Sequence, residues 1–135
     1  VEGDFFTFVE ETREAADLIW IGLSLHHLTH PQKGDFLAMA RRVLGKRGHL
    51  VVFEPAMGDG ESREAYLERW GRIVERQWTA LSPEELVPFV THTREADYPE
   101  SFEDLSILGF EQGFSSVESL YRDGQELLQM IAFHA

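Results

Sequence analysis

Residues 16–55 constrain what this chain can fold into more than any other stretch. They hold an apolar run at 18–23 (Leu18, Ile19, Trp20, Ile21, Gly22, Leu23), a polar loop, an amphipathic segment and a second apolar run, Leu50, Val51, Val52 and Phe53. Each run is too short for a typical helix, and neither alternates with polar residues. Such runs suit strands covered on both faces, as in a parallel sheet. Between them Phe36, Leu37, Ala40, Val43 and Leu44 fall on one face at helical spacing. Pro31 suits the first turn of that helix and Gly45 its C-cap, while Arg41, Arg42, Lys46 and Arg47 suit the negative end of its dipole. Strand, helix and strand of this length make two parallel strands with a right-handed crossover. Ligands of such sheets bind beyond the carboxyl ends of the strands. Those ends are Gly22, Leu23, Ser24, Leu25, His26 and His27 after the first strand, and Glu54, Pro55 and Ala56 after the second. The unit by itself names no reaction.

The remainder follows the same logic. Asp4 precedes Phe5, Phe6 and Phe8, which reads as a loop anchored by aromatics. Residues 61–78 read as a helix with Tyr66, Trp70, Ile73, Val74 and Trp78 on one face, a stripe typical of core packing. Ser82, Pro83 and Glu85 form a capping box for the next helix, whose apolar side is Leu86, Phe89 and Val90. His92, Arg94, Glu95 and Asp97 at its end read as a solvated face, and Tyr98-Pro99 stops it. Ser101 and Asp104 open a short helix carrying Phe102, Leu105, Leu108 and Phe110. Two strands, 114–122 and 126–134, flank the hairpin signal Asp123-Gly124. The second is apolar on both faces and belongs inside the sheet. The first carries Ser115, Ser116, Glu118 and Ser119 and belongs at an edge. The expectation is one α/β domain over residues 1–135. Its sheet has four strands in the order 18–23, 50–53, 127–133, 114–122, with a C-terminal antiparallel hairpin and flanking helices.

Charge narrows the partners. With a formal net charge of -12 the chain is a poor match for nucleic acid phosphates or an anionic membrane surface. No cysteine is present, which removes disulfides and suits a reducing compartment. No apolar run approaches the roughly 20 residues of a membrane-spanning helix, and no basic and apolar leader pattern opens the sequence. Cytoplasmic placement is the expectation.

His26, His27 and His30 raise the question of a metal. His26 and His30 have the spacing that aligns two ligands on a helix, but Pro31 places the helix later, and neither cysteine nor nearby carboxylate completes a set. No metal is expected. One reading leaves these imidazoles in a partly exposed loop. The other turns His26 or His27 toward a substrate pocket, where a neutral imidazole acts as general base.

These stretches also resemble the class I S-adenosylmethionine-dependent methyltransferases. The resemblance rests on Asp17-Leu18-Ile19-Trp20, on His26-His27-Leu28, and on Arg42-Val43-Leu44-Gly45-Lys46-Arg47-Gly48 followed by His49-Leu50-Val51-Val52. Glu2-Gly3-Asp4-Phe5 looks like the family's acidic motif before its fourth strand, and the tail looks like its final antiparallel pair. Nothing reads Gly-x-Gly-x-Gly, the family's cofactor loop. The chain therefore looks like the C-terminal half of such a domain, a partial Rossmann-like methyltransferase fold, and is expected to be incomplete as an enzyme alone. The resemblance implies S-adenosylmethionine as cofactor, with Asp4 and Phe5 at adenine and Gly22, Leu23 and Ser24 near the methionine end. It implies a small-molecule methyl acceptor, Trp70 and Trp78 facing it, and His26, His27 or His92 as base. The rival expectation is a non-catalytic module acting through self-association or a partner. In either case the 18–23 strand lacks its family neighbour, and a homodimer through that edge is expected.

Overall fold

The computed structural model describes residues 4–135; Glu2 and Gly3 of the opening motif lie outside the described residues. Strand β1 (Ala16–Gly22) runs parallel to β2 (Leu44–Met57), with Ile19 opposite Leu50 and Gly22 opposite Phe53. A 3-10 turn (Leu25–His27) and helix α2 (His30–Val43) connect them. On the other side of β2 lies the antiparallel β5 (Leu128–His134), with Val52 opposite Ile131, and β4 (Ser116–Arg122) closes that edge. The path β1-β2-β5-β4 is the expected strand order. A fifth strand was not expected. The two-residue β3 (Glu100–Ser101) pairs in parallel with the end of β2, placing Glu100 opposite Ala56.

Local chemistry explains where the elements begin and stop. Helix α2 starts one residue before Pro31, because Gln32 Oε1 accepts from both the Thr29 backbone N–H (2.9 Å) and the Thr29 hydroxyl (2.8 Å). It ends at Val43 rather than reaching a cap at Gly45, since Leu44 is already extended and enters β2. Gly48 permits the close approach of the two strands where their register shifts. A Cβ there would stand 2.8 Å from the Ala16 carbonyl oxygen. The aromatic N-terminal segment is a helix and not a loop: α1 (Phe5–Glu11) is capped by Asp4, which accepts from Thr7 N and Thr7 Oγ1, each at 3.2 Å.

The main core lies between the sheet and two helices. Leu50, Val52, Ile131 and Phe133 meet Phe36, Leu37 and Ala40 of α2 and Leu105 and Leu108 of α5 (Phe102–Glu111). Phe5 and Phe6 extend it, their rings 5.3 and 5.9 Å from that of Phe36. A second cluster forms where α3 (Arg63–Gln77) places Tyr66, Leu67, Trp70 and Val74 against Met57, with Leu86 and Val90 of α4 (Pro83–Ala96) beside them. The outer side of β1 pairs with no strand among the described residues, and Leu18 and Trp20 there are 59% and 56% exposed. No described helix is long and apolar enough to cross a membrane.

Candidate active site

The carboxyl ends of β1 and β2 meet at one buried carboxylate. Glu54, 3% exposed, sits where β2 leaves its pairing with β1. Its Oε1 accepts from the backbone N–H groups of Ser24 and Leu25, each at 2.9 Å, and its Oε2 from that of His26 at 3.2 Å. The fourth partner is His26 Nδ1, 2.6 Å from Oε2. A carboxylate withdrawn from water is tolerated only with such a full donor set. The contacts lock the loop after β1 onto the end of β2. The chain turns into that loop through Leu23, whose φ of 52° is left-handed and whose N–H donates to the Phe53 carbonyl at 2.8 Å. Because the buried carboxylate accepts a hydrogen bond from Nδ1–H, neutral His26 carries its lone pair on Nε2.

A second carboxylate faces that nitrogen. Asp97 ends α4, and three contacts fix it. Arg63 donates from Nε to the Asp97 carbonyl (2.8 Å) and from Nη2 to the Arg94 carbonyl (2.6 Å), while the N–H of Tyr98 donates to the His26 carbonyl (2.7 Å). Asp97 is buried where a solvated position was expected, whereas His92, Arg94 and Glu95 of the same helix end are exposed as expected. Its Oδ1 accepts no hydrogen bond and lies 3.2 Å from His27 Nδ1, 3.8 Å from His26 Nε2 and 3.9 Å from His92 Nε2. The rings of His26 and His27 are 4.0 Å apart and those of His27 and His92 5.5 Å.

Lys33 braces this corner from below. It is buried, and its ammonium donates to the carbonyls of Leu28 and Tyr98 and to Glu100 Oε1 (3.1 Å). Burial pushes its pKa below the usual lysine value, against the opposing pull of Glu100. His30, the first residue of α2, contacts Glu100 instead of joining the other imidazoles.

The expected site residues thus divide. His26, His27 and His92 gather around Asp97. Ser24 adjoins them through its N–H bond to Glu54; its hydroxyl donates to the Gly22 carbonyl at 3.1 Å, and the Leu23 N–H donates to the Phe53 carbonyl. Asp4 and Phe5 belong to α1, the first as its cap and the second packed on Phe6 and Phe36. Trp70 is buried, whereas Trp78 lines an open groove of about 540 Å³ between α3 and α4 with Val74, Leu81, Leu86, Val87 and Val90. Both indoles stack near Phe89, at 5.5 and 4.9 Å. Sequence reasoning assigned no role to Glu54, Asp97 or Lys33. Glu54 had a usable signal, as a carboxylate directly after an apolar strand at the binding edge. Asp97 and Lys33 had none.

No family model and no curated protein matches this chain. Solved structures do. The chain is similar to a putative O-methyltransferase from Nostoc punctiforme PCC 73102 at TM-score 0.62 and 15% identity, covering 94% of this chain and 34% of that one. It is also similar to the S-adenosylmethionine-dependent methyltransferase SibL in its apo form (TM-score 0.63, 14% identity, 93% of this chain, 33% of that one). PigF with SAH gives TM-score 0.66 at 16% identity, over 99% of this chain and 34% of that one. The chain has a class I methyltransferase fold. It spans about a third of the length of these methyltransferase structures, and Glu54, His26 and Asp97 stand at the sheet edge where such an α/β fold binds its ligands.

Proposed function

We propose that this chain forms part of an S-adenosylmethionine-dependent methyltransferase acting on a hydroxyl-bearing small molecule, with His26 as general base. The carrying observation is the Glu54–His26 contact at 2.6 Å, which orients a free Nε2 at the carboxyl edge of a methyltransferase fold. The bound cofactor would supply an electrophilic methyl group on a sulfonium. This chain's residues do the rest. His26 Nε2 accepts the hydroxyl proton as the oxygen becomes a nucleophile, and Glu54 stabilises the resulting imidazolium. Alignment of nucleophile and methyl group carries most of the remaining barrier reduction. The residues fit one side of the cofactor. Exposed Trp20 and Leu23 flank Gly22, an aromatic and apolar lining suited to a nucleoside and the carbon chain beside a sulfonium. Support for the cofactor contacts therefore rests on Gly22, Leu23 and Ser24, because Asp4 and Phe5 are engaged within α1 and its packing.

Calorimetry and a methyl-release assay on the complete enzyme that contains this chain test this reading. Cofactor binding with turnover that His26→Ala abolishes while binding persists would support it. Turnover indifferent to His26→Ala would contradict it.

The exposed outer edge of β1 favours a second reading, a module that associates with another copy of itself through Leu18 and Trp20. Absence of binding at millimolar cofactor, together with a stable dimer, would favour that reading over catalysis.

A further inference from the structure

We infer that His26, His27 and Asp97 form a binding site for a divalent transition metal ion of the zinc type, with His92 as the nearest further ligand. The sequence offered no carboxylate near the histidines, but the fold brings one from the end of α4. One ligand atom from each of the three residues lies within 4.8 Å of the others. In a tetrahedral site with metal–ligand bonds of about 2.0–2.1 Å, ligand atoms stand about 3.3 Å apart. The separations of 3.2 Å (His27 Nδ1 to Asp97 Oδ1) and 3.8 Å (His26 Nε2 to Asp97 Oδ1) bracket that spacing. His92 Nε2, at 3.9 Å from the same oxygen, belongs to an exposed side chain whose ring lies against that of His27.

Two further observations point to a cation rather than to a plain ion pair. Asp97 Oδ1 is buried and accepts no hydrogen bond, although three imidazoles surround it. Such an oxygen is costly to bury unless something positive answers it. In addition, His26 donates its other ring nitrogen to a buried carboxylate, the arrangement that fixes tautomer and ring orientation in metal-ligating histidines. Nitrogen and carboxylate donors with no thiolate suit zinc, cobalt or nickel better than copper(I).

The site stands without the methyl-transfer reading. If that reading holds, the ion takes the lone pair that the base would use, so metal occupancy and base catalysis by His26 exclude one another.

The test needs neither cofactor nor acceptor. The chelator-treated chain is titrated with Co2+, followed by visible absorption, and with Zn2+, followed by calorimetry. The inference expects one ion per chain and Co2+ bands of low coordination number. Asp97→Asn and His27→Ala should each weaken binding by about tenfold or more, on the scale of lost metal-site partners, with unchanged far-ultraviolet circular dichroism. His30→Ala, which alters a ring engaged with Glu100, should leave affinity unchanged. Should Asp97→Asn fail to fold, the half-exposed His27 carries the comparison alone. Absence of Co2+ bands, or equal affinity in wild type and His27→Ala, would overturn the inference.

Discussion

Single side chains set this site through charge and burial. Glu61 and Arg69 illustrate the same physics away from the chemistry. Arg69 grips Glu61 with two nitrogens, at 2.9 and 2.7 Å, and donates onward to the carbonyls of Ala56, Gln125 and Glu126. It thereby ties α3 to the end of β2 and to the β4–β5 turn. The Arg69 hydrogen bond holds the Glu61 carboxyl below the usual glutamate value. A carboxyl depressed on folding stabilises the folded state above its unfolded pKa, about 4.3, and loses that contribution as pH falls through the folded value. Glu61→Gln should therefore lower the denaturation midpoint at neutral pH, with the gap to wild type closing in acid. A gap independent of pH would contradict this. At this scale the sequence was half legible. His26 and His27 stood out because they follow a strand at the binding edge. Asp97 looked like one more charge on a polar helix end, and only the Tyr98–His26 and Arg63 contacts, made between distant segments, turn it inward.

Among the elements, burial decides which strands hold the molecule together. Val52 and Ile131 face each other in the centre of the sheet and are wholly buried. Val52→Ala should destabilise by about 1–4 kcal/mol through the lost contacts and the cavity left behind. Leu128, at the start of β5, is only half-buried, so its truncation should cost less. Glu118→Ala on the β4 edge should stay within about 0.5 kcal/mol. Chemical denaturation midpoints check the ranking, and equal effects at the three positions would refute it. The places of β2, β5 and β4 were readable because unalternating apolar runs mark interior strands and serine-rich ones mark edges; β1, equally apolar, ends the strand path among the described residues. β3 was not readable: two residues carry no periodicity, and Glu100 and Ser101 pair with β2 only because the turn after α4 returns there. Helix α1 was not readable: the aromatics Phe5, Phe6 and Phe8 suggest an anchored loop and obscure the cap at Asp4.

For the molecule as a whole, two features carry the proposals: the side of β1 that pairs with no strand among the described residues, and the site at its end. Leu18 and Trp20 expose an apolar strand edge, and edges of this kind template pairing with another chain. Sedimentation equilibrium should find a dimer that Trp20→Lys dissociates. A monomer at high concentration would set the self-association reading aside. The site depends on a different condition, that the fold delivers His26 with its Nε2 lone pair free. Both the base role and the metal site require it. Long-range proton–nitrogen correlation spectra of the His26 ring, recorded on the metal-free chain, measure this directly. Neutral His26 should be the Nδ1–H tautomer, held by Glu54 and relaxed in Glu54→Gln. A neutral His26 carrying its proton on Nε2 would contradict it.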